Sequence, residues 1–151
     1  MTAELVAEHT SVQPNGSTRL GVYFRIEDGW HIYAKDPGDA GLPTKVTWRA
    51  APAVSFGSLI WPPAEPFHDP GDMTTYGYRG SLLLSSSMTY APLLFSNSEQ
   101  GYPDLSIRAD VEWLSCKDVC IPGKVHLELQ LPVSTNAAIL SSHADLFEHT
   151  Q

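Results

Sequence analysis

The sequence predicts an all-β domain built as a two-layered sandwich, and three observations carry that prediction. Apolar residues recur with a period of two through most of the chain, the period of half-buried strands. About eight such runs are separated by turn-rich segments at short spacing. Helical character is confined to the last residues. Short strands in that number, punctuated by Gly and Pro, are the pattern of an immunoglobulin-like β-sandwich.

The elements follow in order. A first strand is expected near residues 5–12, ended by the turn signal Pro14-Asn15-Gly16. Leu20, Val22, Phe24 and Ile26 then alternate with Arg19, Gly21, Tyr23 and Arg25, so one face is buried and the other wet. Short strands are expected over 30–34 and 45–49. Between them lies Asp36-Pro37-Gly38-Asp39-Ala40-Gly41-Leu42-Pro43, too rich in Pro and Gly for regular structure. Another strand over 55–61 is stopped by Pro62-Pro63. Residues 64–79 read as a long irregular stretch, and such loops inside compact domains are often functional. Strand character resumes over 81–90, and 96–101 is a polar loop.

The clearest alternation comes last. Leu105, Ile107, Ala109, Val111 and Trp113 form one half-buried strand, and Val125, Leu127, Leu129, Leu131 and Val133 form another. A link of nine residues, 115–123, makes them an antiparallel hairpin. Beyond Val133, Ser134-Thr135-Asn136 reads as linker and 137–147 as a short helix with little to bury. The expected organisation is one domain over residues 1–133 and a tail over 134–151, leading toward a downstream region.

Composition narrows the function. With 151 residues, 42% hydrophobic and 17% charged, the chain has enough material for one cored domain. No run approaches the roughly 18 apolar residues of a membrane span. The net charge of -8 supplies no basic surface for nucleic acid, which is set aside as a partner. Met1-Thr2-Ala3-Glu4-Leu5 lacks the basic and apolar regions of a signal peptide. That leaves a cytosolic protein or a mature domain trimmed from a precursor.

The two cysteines, Cys116 and Cys120, are four apart. In an extended strand that spacing separates them by roughly 13 Å, and on a helix by about 5–6 Å. A disulfide needs Cβ atoms about 3.5–4.5 Å apart, so the pair is bridged only where the chain folds back. A stabilising staple is one reading, yet closing so small a ring contributes only about 2 kcal/mol. Small, accessible disulfides are more often labile and catalytic, which favours redox function. Zinc would need two further ligands; His31, His68 and His126 are conceivable, none at a short ligand spacing from the pair. Copper(I) accepts two thiolates alone.

The stretch Val111-Glu112-Trp113-Leu114-Ser115-Cys116-Lys117-Asp118-Val119-Cys120-Ile121-Pro122-Gly123 resembles the cysteine loop of a known family. It is that of the N-terminal periplasmic domain of DsbD-type thiol:disulfide interchange proteins, nearest the copper-sensitivity-suppressor (ScsB) branch. Gly29-Trp30-His31-Ile32-Tyr33 with residues 36–43, Ile60-Trp61-Pro62, and Tyr76-Gly77-Tyr78-Arg79-Gly80 agree in the same order. The resemblance runs from about Gly21 to Val133, and Leu146-Phe147 resembles the segment that follows the domain in that branch.

The resemblance implies an immunoglobulin-like domain in the periplasm, cut from an inner-membrane protein with transmembrane and thioredoxin-like domains. It implies a protein-disulfide reductase whose reducing equivalents pass from those domains to thioredoxin-like periplasmic oxidoreductases. The cysteine pair would be the redox centre, with no metal and no other cofactor, in a domain monomeric when isolated. Cys120 would form the mixed disulfide and Cys116 would resolve it. A cap loop over the pair is implied at residues 72–77, with Tyr76 as shield, Thr75 beside it and Phe67 as an outside candidate. Thr74 and Thr75 stand where other members carry an acidic residue next to a phenylalanine. Tyr76 also fits an ordinary hairpin-turn aromatic. Trp30 and Tyr33 would line the cysteine pocket, or simply pack as strand aromatics. Lys117 would favour a thiolate and Asp118, counted with the pocket, would oppose it; both also read as solvated loop charges. Pro122 and Gly123 would shape the turn, and Trp48, Trp61 and Trp113 would pack. His9, His143 and His149 read as surface or tail residues. Two other functions stay open: a copper(I)-binding or copper-protective module, and a structural sandwich with a stapling disulfide.

Overall fold

The structure, a computed structural model, describes residues 1–92 and 102–148. The loop expected at 96–101 and His149 lie outside the described residues. The strands in chain order are β1 (Thr2–Ala7), β2 (Ser17–Arg25), β3 (His31–Gly38), β4 (Lys45–Arg49) and β5 (Val54–Phe56). They continue as β6 (Glu65–Asp69), β7 (Met73–Tyr78), β8 (Ser81–Tyr90), β9 (Leu105–Cys116) and β10 (Cys120–Leu131), and a single turn of helix, α1 (Ala144–Phe147), follows.

The strands form two antiparallel sheets, one ordered β1-β2-β8-β5 and the other β10-β9-β3-β7-β6. In the second sheet β9 is shared. Its C-terminal end pairs with β3 at Cys116 and Ser115, and its middle pairs with β4 from Glu112 to Arg108. The fold is the predicted immunoglobulin-like sandwich.

Alternation explains the packing. Val22, Phe24, Leu82 and Leu84 from one sheet meet Ile32, Ala34, Ala109 and Val111 from the other, all buried. Leu20, Met88, Ile107 and Leu131 continue the core toward the far end. Each large apolar side chain so buried contributes about 1.5–3 kcal/mol, so the sandwich does not depend on a small disulfide ring. Trp48 stacks on Phe56 at 5.4 Å and donates its indole N–H to Ser86 at 3.1 Å. Trp113 meets Phe24 edge-on at 6.1 Å, and Trp61 packs partly buried against the core. These tryptophans are packing residues, as expected.

Several expected elements differ. The first strand starts and ends earlier, because residues beyond Ala7 bridge the tail instead, through His9 with Leu140 and Val12 with Val133. The strand expected over 55–61 is β5 plus an isolated bridge of Ile60 to Ser85. The stretch 64–79, expected to be irregular, is the β6–β7 hairpin, paired from Glu65–Gly77 to Asp69–Met73. Its turn uses the left-handed backbone of Gly71 (φ 86°) and Asp72 (φ 59°). Pro66 is tolerated because β6 is an edge strand. Finally, the helix is only α1, and it has something to bury. Phe147 is fully buried against Val6 and Leu83 on the outside of the first sheet.

Candidate redox site

The cysteine hairpin is tighter than its sequence suggests. β9 and β10 run as far as the cysteines themselves, so the expected link of nine residues is really Lys117-Asp118-Val119. Within it, the Lys117 N–H donates to the Val119 carbonyl at 2.9 Å. Cys116 and Cys120 are direct register partners with Cα atoms 4.1 Å apart, and they form a disulfide. Directly opposed residues of an antiparallel ladder project to the same face, which is how a spacing of four closes a ring here. Pro122 and Gly123 lie inside β10 rather than in the turn. The proline sits on an edge strand, where its missing N–H is harmless.

The two cysteines are placed unequally. Cys116 is 3% exposed, whereas Cys120 is at the surface. On either side of Cys120, Val119 is 61% exposed and Ile121 51% exposed, an apolar rim around the accessible cysteine. Asp118 is exposed at the tip. The Lys117 stem lies against Gly29, whose φ of 85° marks the turn into β3; a β-carbon there would come within 3.1 Å of Lys117 Cε.

The neighbours of the pair come from β3. Ile32 and Ala34 point into the core, so His31 and Tyr33 lie on the outer face. His31 is the register partner of Cys116. Its ring stacks on Phe67 at 4.4 Å and meets Tyr33 edge-on at 5.2 Å, and its Nε2 lies 3.3 Å from the Tyr33 hydroxyl. Burial holds the His31 pKa below its ordinary value, with the Asp69 carboxylate opposing. Burial and the same carboxylate both push the Tyr33 phenol up. Tyr33 also presses on Gly41, where a β-carbon would come within 2.6 Å of its ring.

The sequence-predicted site residues therefore separate into groups. Tyr33 and Phe67 join Cys116 through His31 on one face. Trp30 packs partly buried against the core instead, lining a cleft with Trp113, Ile121 and Pro122 on the other side of the arm. Thr75 is fully buried and donates its hydroxyl to Asp69 at 3.2 Å. Its strand, β7, is two strands from β9. Tyr76 is 42% exposed, and its ring lies against Gly38. His31, weighed from sequence only as a metal ligand, is the residue that sequence reasoning missed. Its alternation with Ile32 marked the outer face, but nothing local reports that β3 would pair with β9 at Cys116.

Among the described residues, no three His, Cys, Asp or Glu side chains are grouped so as to hold a metal ion. No described helix is long and apolar enough to cross a membrane.

A β-sandwich whose edge hairpin ends in a cystine, one cysteine buried and the other at the surface, has the form of a thiol:disulfide interchange domain. The family model described as thiol:disulfide interchange protein DsbD, N-terminal, matches residues 2–132, and the chain belongs to that family. The N-terminal periplasmic domain of ScsB from Proteus mirabilis is similar at 18% identity with a TM-score of 0.62, over 96% of this chain and 51% of that one. The likeness supports the fold, and the chain spans about half the length of that relative. The N-terminal domain of Neisseria meningitidis DsbD in its reduced form aligns over 91% of this chain and 88% of its own, at 16% identity and a TM-score of 0.46. No curated protein sequence matches the chain.

Proposed function

We propose that this domain works in the periplasm as a relay of reducing equivalents. It would receive them from a membrane-embedded dithiol or thioredoxin-like domain of the same full-length protein and pass them to thioredoxin-like oxidoreductases. The observation that carries the reading is the unequal burial of the two cysteines, Cys116 at 3% exposure and Cys120 at the surface inside an apolar rim. Thiol–disulfide exchange needs in-line access to the sulfur that meets the partner. Cys120 is the member of the pair that stands at the surface.

In the reduced domain the Cys120 thiolate attacks one sulfur of the partner's disulfide. A mixed disulfide forms and the partner's other sulfur leaves as a thiolate. Cys116 then attacks Cys120 Sγ, the mixed disulfide breaks, and the partner departs as a dithiol carrying two electrons. The domain is left as the Cys116–Cys120 cystine. Phe67, stacked on His31, is better situated than Tyr76 for the shielding role, because His31 is paired directly with Cys116.

Mixing reduced Cys116→Ala with an oxidised thioredoxin-like protein tests the reading. A covalent adduct through Cys120 is expected on non-reducing gels, with none from Cys120→Ala. Absence of any adduct, together with a very low reduction potential of the native pair, would return the disulfide to a structural role.

A further inference from the structure

We propose that His31 is the proton acceptor for Cys116 in the resolving step, a role resting on the relay reading above. Cys116 is nearly excluded from water, so its thiol has poor access to solvent base. A buried thiol also resists ionisation. His31 is its cross-strand partner on the same face of the sheet, where opposed Cβ atoms stand about 4.5–5.5 Å apart.

The setting suits a base. The Phe67 ring covers one face of the imidazole, and the Tyr33 hydroxyl lies 3.3 Å from Nε2. Besides Cys116 on β9, two titratable groups face it. They are the Tyr33 phenol on its own strand and the Asp69 carboxylate at the end of β6. β7 contributes Thr75, which does not titrate and holds Asp69 by its hydroxyl. Lys117, in the β9–β10 turn, lays its stem against Gly29 just ahead of β3. Burial holds the imidazole pKa below its ordinary value, and the Asp69 carboxylate opposes that shift by favouring the imidazolium once it forms.

The step balances. The Cys116 thiol proton passes to the imidazole, and the Cys116 sulfur attacks Cys120 Sγ. The bond between Cys120 and the partner breaks, and the departing thiolate takes its proton from the imidazolium or from water. Two electrons leave with the partner.

Dithiobis(nitrobenzoate), a coloured aromatic disulfide, separates the two steps in stopped flow. The reduced protein releases one nitrothiobenzoate when Cys120 attacks and a second when Cys116 resolves. In the native protein the second phase should be nearly independent of pH between about 6.5 and 8, because the thiol proton goes to the imidazole rather than to a solvent base and is lost to water only afterwards. In His31→Gln and His31→Phe the second phase should instead rise about tenfold per pH unit, because the buried thiol must then ionise to solvent base before it attacks. The deficit is then at least about 100-fold at pH 6.5, two units below the ordinary thiol value of about 8.5, and narrows as pH rises. The first phase is the internal reference. A normal first phase, with a variant second phase as fast and as flat as the native one, overturns the role of His31 alone. If both variants fail to fold, a native second phase that itself rises tenfold per pH unit overturns it. Absence of a first phase in the native protein overturns the relay reading and this inference together.

Discussion

The Trp113 indole lies over Gly123, its register partner across the β9–β10 ladder. A β-carbon at position 123 would run into the ring. The same indole meets Phe24 of the opposite sheet edge-on. The arm that carries Cys120 is thereby keyed to the core. Gly123→Ala should force the ring aside and destabilise the domain by about 1–3 kcal/mol, the usual cost of overpacking. Urea unfolding followed by tryptophan emission measures it, and a change below about 0.5 kcal/mol would mean that the ring swings free at no cost.

Reducing the disulfide should cost little. The ring spans five residues, and its closure contributes about 2 kcal/mol by loop entropy. The urea midpoint should therefore fall by only about 1 M in dithiothreitol. A loss beyond about 4 kcal/mol would mark the bond as a staple.

Phe147 should matter more than its place in the tail suggests. It is fully buried against Val6 and Leu83, and Gly21 leaves room for it. A β-carbon on that glycine would come within 2.6 Å of Leu83 Cδ1 and 3.3 Å of Phe147 Cε1. Phe147→Ala should destabilise by about 3–5 kcal/mol, read from thermal or urea unfolding.

The same corner carries an acid sensitivity. Arg19 forms a two-pronged bond to Glu8 at 3.0 and 2.7 Å and also donates to the Phe147 carbonyl. Hydrogen bonding from Arg19 holds the Glu8 carboxyl below its ordinary 4.5, with burial opposing. A depressed folded-state pKa means that the contribution is complete above the unfolded value and disappears as pH falls through the folded one. Native stability should therefore drop below about pH 4.5 more steeply than that of Glu8→Gln. Parallel curves for the two proteins would remove Glu8 from the account.

Much of the fold was legible because alternation with a period of two reports burial directly, as in Leu20–Ile26 and Leu105–Trp113. The fold-back at the cysteines followed from covalent reach alone. Two kinds of element were hidden. The β6–β7 hairpin was masked by Pro66, Pro70 and Gly71, which read as breakers although an edge strand and a left-handed turn accommodate them. The docking of Phe147 and the pairing of His31 with Cys116 are long-range, so no window of neighbouring residues encodes them. Trp30 had two readings from sequence, pocket lining or strand packing, and it packs against the core while lining a cleft with Ser115 and Ile121 beside the cysteines.

Cys116 and Cys120 occupy the last of twelve register pairs between β9 and β10. The other eleven hold the arm whether or not the sulfurs are joined. Oxidation and reduction then rearrange a single terminal rung, with little reorganisation of the surrounding scaffold. The potential of the couple becomes a local property of two thiols and their immediate neighbours, and each round of electron exchange leaves the folded state almost untouched.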